Sequence, residues 1–187
     1  MTVSRPGEPL TYPVAGLLRE LPGATRHYPV AGVTIDLGPD LELADPIEGT
    51  IRLGRTNRGL LVQARLATAL ASQCSRCLRD IEVPLEIEIE EEALPTIDTI
   101  TGLPLDTSAE PDAFRLNGQH ELELEPVVRE AIQLAEPIAA VCREDCPGLC
   151  VVCGEDLTDW PHHHEEELDP RLEALRSFTV DDDAPVH

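Results

Sequence analysis

Residues 81–90 alternate without a break, with Ile81, Val83, Leu85, Ile87 and Ile89 interleaved with Glu82, Pro84, Glu86, Glu88 and Glu90. Successive side chains of a strand point to opposite faces, so the run reads as a half-buried antiparallel strand, apolar on one side and acidic on the other. Pro84 cannot donate a ladder hydrogen bond, which argues for an edge position or a bulge. Upstream, LLVQARLATALA lets Leu60, Val62, Ala64, Leu66 and Leu70 share a face, and Asn57-Arg58-Gly59 looks like a turn from a strand near residues 47–55. Between these strands lies QCSRCL, which seats Cys74 and Cys77 at the tip of a hairpin.

Four more cysteines, Cys142, Cys146, Cys150 and Cys153, follow in CREDCPGLCVVCG. Two C-x2-C pairs, one followed directly by Gly154, have the local spacing that offers two thiolates to a tetrahedral zinc. A closed site of this kind is structural rather than catalytic. The N-terminus MTVSRPGEPLTYPVAG has no apolar run that reads as a signal peptide, and no stretch approaches a membrane span. The expected compartment is the reducing cytoplasm, where clustered cysteines bind metal more often than they form disulfides.

Three ligand arrangements fit the spacing. Cys74 and Cys77 can join Cys150 and Cys153, leaving Cys142 and Cys146 spare. Alternatively they join Cys142 and Cys146, while Cys150 and Cys153 pair with His162 and His164 around a second ion. A third possibility closes the four C-terminal cysteines on one ion, at the cost of a strained tetrahedron. The bland alternatives are a surface triplet for His162-His163-His164, amid Glu165, Glu166 and Glu167, and a pair of small buried thiols for Cys74 and Cys77.

The net charge of −22 is unevenly spread, and all 14 basic residues are Arg. Residues 1–49 carry −4, residues 50–79 carry +6 with no acid at all, and residues 80–187 carry −24. An acidic surface repels phosphate backbones and is the complement of a basic partner such as a ribosomal protein. Within this island of six Arg, which includes Arg65, the candidates for local contact with a partner or RNA are Arg52, Arg55, Arg58, Arg76 and Arg79; its plainer reading is a solvated strand face.

Elsewhere, residues 1–40 read as a Pro- and Gly-rich N-terminal segment packing on the domain, with a short helix near Ala15 to Glu20. Residues 41–178 form an α+β domain, an antiparallel β-sheet meander with a few short helices and Cys-rich zinc knuckles. Within it, 93–119 is an aperiodic excursion and 142–153 the Cys-rich segment. ELELEPVVREAIQLAEPI starts as a strand and becomes a helix whose apolar face is Val127, Val128, Ala131, Ile132, Leu134 and Ala135. LDPRLEALRSF reads as a last helix capped by Asp169, and 179–187 as a disordered tail. The C-x3-C-x2-C spacing of Cys146, Cys150 and Cys153 matches an iron–sulfur motif of radical enzymes, but only 34 residues follow it, too few for the barrel that chemistry needs. Cys74 and Cys77 lie between two strands, not at the head of a helix as in thioredoxin-like redox sites. No Ser-His-Asp set or phosphate-binding loop stands out, and two Tyr, two Phe and one Trp make no stacking platform for single strands.

The order CSRCL, acidic alternating strand, excursion, helix, CREDCPGLCVVCGEDL and DPRLEALRSF resembles the YceD family, the bacterial and plastid large ribosomal RNA subunit accumulation proteins. The likeness runs from about Leu41 to Phe178, and its C-x-R-C element falls on Cys74, Arg76 and Cys77. Zinc-type members carry a further Cys-x-Cys where this chain has His162-His163-His164, and His can replace Cys as a ligand. The resemblance implies a non-enzymatic role in large-subunit ribosomal RNA accumulation and ribosome biogenesis. The expectation is a zinc-stabilised factor with one or two structural ions, acting on a ribosomal protein or large-subunit assembly intermediate, with no membrane and no small-molecule substrate. The competing expectation is a zinc-dependent interaction module in transcription or redox sensing.

Overall fold

The alternating run becomes the outermost strand of a four-stranded sheet. The computed structural model describes residues 10–164 and Arg171. In chain order its elements are β1 (Thr11–Pro13), α1 (Ala15–Leu18), β2 (Thr25–Val33), β3 (Glu42–Arg55), β4 (Leu60–Gln73), β5 (Asp80–Ala93), β6 (Glu121–Glu123) and α2 (Glu125–Ala135). Strands β2 to β5 make an antiparallel meander in sequence order, and β1 pairs with β6 in a separate two-stranded ladder. The fold is α+β, mostly antiparallel sheet with two short helices.

Burial follows the period-two pattern. Leu85, Ile87 and Ile89 of β5 are buried, as are Leu60, Val62, Ala64, Leu66 and Leu70 of β4, while Glu82, Glu86, Glu88 and Glu90 are exposed. These residues share one core with Ile51 and Leu53 of β3, with Val128 and Ile132 of α2, and with Tyr12 and Leu17 from the N-terminal elements. Thr68, the one polar or charged residue buried among the described residues, donates to the Asp45 carbonyl at 2.6 Å, so its hydroxyl enters the interior satisfied. Pro84 lies on edge strand β5, opposite Ala69.

Two departures from the sequence reading have simple causes. Strand β2, which pairs with β3 from Thr25↔Gly54 to Val33↔Ile47, carries Pro29 and Gly32 and does not look like a strand on paper. It is the other sheet edge, where a missing donor and a register shift between Val30 and Val33 are tolerated. Leu134, expected on the apolar face of α2, is 80% exposed. At about 100° per residue it stands about 200° from Ile132 and turns outward, whereas Val128, Ile132 and Ala135 keep one stripe. The expected last helix and tail lie outside the described residues. No helix among the described residues is long and apolar enough to cross a membrane.

Candidate metal centres

Hairpin β4–β5 carries the first C-x2-C at its turn, and the chain after α2 returns to meet it. The two C-x2-C turns share one backbone design. The Cys74 amide donates to the Arg79 carbonyl at 2.8 Å and the Leu78 amide to the Cys74 carbonyl at 2.9 Å. In the second turn the Cys150 amide donates to the Glu155 carbonyl and the Gly154 amide to the Cys150 carbonyl, both at 2.8 Å. The fifth position is left-handed in each, Gly154 at φ 78° and Leu78 at φ 59°. Glycine meets that demand without strain; leucine does not.

Of the three arrangements open from spacing, the fold assembles the second. The ligand atoms of Cys74, Cys77, Cys142 and Cys146 all lie within 4.8 Å of one another, and so do those of Cys150, Cys153, His162 and His164. Cys74 Sγ is 3.9 Å from Cys146 Sγ, and Cys77 Sγ is 3.8 Å from Cys142 Sγ. A disulfide needs about 2.05 Å, so these are not bonds. A tetrahedral zinc–thiolate centre with bonds of about 2.3 Å has edges of about 3.8 Å, which is the spacing seen. Cys74, Cys77 and Cys146 are buried, with Ile81 and Leu149 packed against them, and Cys142 faces solvent.

The second group is more open: Cys150 is buried, Cys153 is exposed, and both histidines are half-buried. His162 Nδ1 faces the Trp160 carbonyl at 2.7 Å, which assigns the proton to Nδ1 and turns Nε2, at 3.1 Å from Cys153 Sγ, toward the ligand cluster. That is the orienting hydrogen bond of a metal-binding imidazole. His164 packs edge-on to His162, ring centroids 4.9 Å apart, and its Nε2 is enclosed with no hydrogen-bond partner among the described residues. An enclosed imidazole nitrogen without a hydrogen-bond partner fits the role of a metal ligand. The Cys153–His162 contact is shorter than a tetrahedral sulfur–nitrogen edge of about 3.6 Å and has the length of a thiol–imidazole hydrogen bond.

The thiols are electrostatically unequal. The backbone amide of Cys142, followed by that of Cys77, pulls the Cys74 thiol down to about 6. Hydrogen bonding to the Cys146 side chain, with burial, pushes Cys142 up to about 12. The amides of Cys153 and Val152 lower Cys150 to about 6, the usual effect of turn amides aimed at a sulfur. Each group thus holds one ready thiolate, with further protons to lose on binding a cation.

Two arginines of the basic island knit the centres together. Arg76 donates to the carbonyls of Glu144 at 3.1 Å and Cys146 at 3.0 Å. Its own carbonyl accepts from the Leu149 amide at 3.1 Å, and a Cβ on left-handed Gly148 would sit 3.0 Å from that oxygen. Arg79 pairs with Asp156 at 2.8 Å and also with Asp159, both in the loop between Cys153 and His162. The other three are engaged farther off: Arg52 with Gln63 at 2.6 Å, Arg55 with the carbonyls of Leu18 and Gly59, and Arg58 with Glu110 at 2.6 Å. Sequence reasoning missed Asp156 and Asp159, which nothing marks out among 36 acidic residues.

A family profile described as the large ribosomal RNA subunit accumulation protein YceD matches residues 62–179, a span that holds β4 but for its first two residues, β5, α2 and both ligand groups. The chain belongs to the YceD family. That family's description ties it to the accumulation of the large ribosomal RNA subunit and names no catalytic activity. The chain is 32% identical over 178 residues to uncharacterized proteins of Mycobacterium bovis and Mycobacterium tuberculosis, covering 89% of this chain and 80% of theirs. An uncharacterized Mycobacterium leprae protein is 27% identical over 145 residues, 76% of this chain and 63% of its own. No solved structure matches. Strands β1 to β3 lie outside the YceD profile, while both ligand groups lie inside it.

Proposed function

We propose that this YceD protein is a non-catalytic, zinc-stabilised cytoplasmic factor that supports accumulation of large-subunit ribosomal RNA by holding a basic ribosomal protein or an assembly intermediate. The observation that carries the reading is the family match across the metal-binding half of the chain. Charge supports the choice of partner: a surface of net charge −22 attracts a cationic protein and repels bare RNA. Thiolate and imidazole donors favour zinc over harder cations, one ion in the four-cysteine group, where the sulfur spacing is tetrahedral, and one in the Cys2His2 group. Both ions are structural, because each group fills all four positions from the protein and leaves none for a reacting water. The Arg island (Arg76, Arg79, Arg52, Arg55 and Arg58) offers a local contact for RNA or partner.

The test is the ratio of large- to small-subunit ribosomal RNA in a deletion strain, at normal and at low temperature. The expected result is a lowered ratio that the wild-type gene restores, and an unchanged ratio at both temperatures would sink the ribosomal reading. Metal analysis of reduced, tag-free protein is expected to find two zinc ions per chain, and a folded metal-free preparation would overturn the coordination.

A further inference from the structure

Beside the first metal centre, the outer edge of β5 is separated from the chain that follows α2 by an open slot of about 490 Å³. Ile81, Val83 and Pro84 line the strand side, and Pro137, Ala139 and Val141 line the other. Strand β5 ends the sheet, so one edge of its backbone has no strand partner among the described residues. No backbone hydrogen bond crosses from residues 81–84 to residues 137–142; the nearest tie is the Ser75 amide to the Ala140 carbonyl at 2.8 Å. The slot therefore has an unpaired strand edge on one wall and an apolar segment on the other.

Ile81 and Glu82 also line a larger neighbouring groove of about 1,080 Å³. Asp40, Glu42, Asp80, Glu82 and Glu136 line that groove, and neither the groove nor the slot is lined by any Arg or His. Exposed edges invite another strand, and inward charges are one way a protein keeps like edges apart. Here the charges are all negative, so a second copy of this chain is repelled while a cationic strand is attracted.

We propose that this slot is the docking surface for an extended, basic segment of a partner protein, which adds to β5 as a short strand. Main-chain hydrogen bonds to the β5 edge would supply affinity, and alternate side chains specificity. Cationic side chains would lie toward Glu82 and the neighbouring carboxylates, and small apolar ones against Val83 and Ala139. Pro84 donates no hydrogen bond, so the ladder is confined to the few residues between it and the hairpin turn. The opposite wall ends at Cys142, a residue of the four-cysteine group. This rests on the reading that the physiological partner is a basic protein.

The experiment titrates the zinc-loaded full chain with a short synthetic peptide alternating arginine and valine, read by backbone amide shifts. The controls are a peptide of the same charge with proline replacing valine, and a short single-stranded RNA. The expected result is shifts centred on residues 80–83 and 137–142, absent with the proline peptide, and affinity reduced about tenfold or more by Glu82→Arg. Glu82 is exposed, and unchanged zinc content and circular dichroism would show that the variant folds. Shifts centred elsewhere, equal binding of the proline peptide or of the Glu82→Arg variant, or the same shifts from RNA would each overturn the slot. The ribosomal reading is scored separately. A normal ribosomal RNA ratio in the deletion strain defeats that reading and leaves the titration to decide the slot. An abnormal ratio on deletion with a normal ratio in a Glu82→Arg strain overturns the slot as the working surface.

Discussion

The four-cysteine group and the Cys2His2 group use the same C-x2-C turn, yet they differ in what holds their ligands. Cys74 and Cys77 sit at the end of two long paired strands, and their partners Cys142 and Cys146 come from a segment bonded to the same turn. Three of those four thiols are buried. Cys150, Cys153, His162 and His164 all come from one stretch of loop, anchored by the single bridge Leu149↔Asp156 and by Arg79. One centre joins distant parts of the fold, and the other folds a short piece of chain upon itself. The lesson is that equal ligand spacing does not imply equal work: the first group ties distant parts of the domain together, the second only its own loop.

Breaking the first centre gives the largest expected effect. Cys77→Ser should lose at least one zinc per chain and lower the melting temperature by about 10 °C or more, since structural zinc contributes several kcal/mol of folding free energy. If metal content and melting temperature both stay put, the centre is not formed. His162→Ala should lose one zinc and shift melting by only about 2–4 °C, leaving the amide spectrum of β4 and β5 intact. Collapse of the hairpin signals in that variant would erase the distinction between the centres.

Acidity sharpens the comparison further. His162 is held above its usual 6.5, first by the Trp160 carbonyl and then by the Cys150 side chain. In the metal-free protein, the protonated ring therefore stabilises the fold below the unfolded value, and that contribution is lost as pH rises through the higher folded value. Metal needs the unprotonated nitrogen, so zinc affinity of the second centre should run the other way and climb between about pH 6 and about pH 8. A competition assay on the Cys77→Ser variant, with only this centre left, measures it; a flat profile removes His162 from the ligand set.

The turns themselves differ by one residue that can be swapped. Leu78→Gly should stabilise the hairpin by about 1 kcal/mol, because it removes a left-handed leucine that is 58% exposed and loses little packing. Denaturant melting reads it, and a destabilised variant would mean that Leu78 makes contacts worth more than its strain. The smallest effect belongs to Arg79→Ala. Its ion pairs are partly solvated and should contribute only about 0.5–1 kcal/mol, but their loss should speed release of the second zinc while leaving the first in place.

Much of this molecule is legible in its sequence where one local pattern decides the outcome. The alternation of residues 81–90, the apolar face of β4 and the hairpin seat of Cys74 and Cys77 all follow from period two. Pro126 and the stripe through Val128 and Ile132 likewise announce α2. What spacing cannot decide is which segment returns to which. The choice among ligand arrangements depends on where the chain after α2 lands, and that is fixed by contacts such as Arg76 with Glu144 and Cys146. Strand β2 was hidden because edge strands tolerate the proline and glycine that usually announce a loop. The partners of Arg79 were hidden because acidic residues are everywhere in the second half.

The 65-residue interval between Cys77 and Cys142 also sets a clock. A hairpin closes in about 1–10 μs, whereas at about 5–20 residues per second the ribosome takes roughly 3–13 s to cross that interval. Strand β5 is complete only at Ala93, so for the later part of that interval the nascent β4–β5 turn presents two thiols without their partners. Only when Cys142 and Cys146 emerge can the four thiols gather, so assembly of the four-cysteine group marks the moment at which synthesis has passed the end of α2.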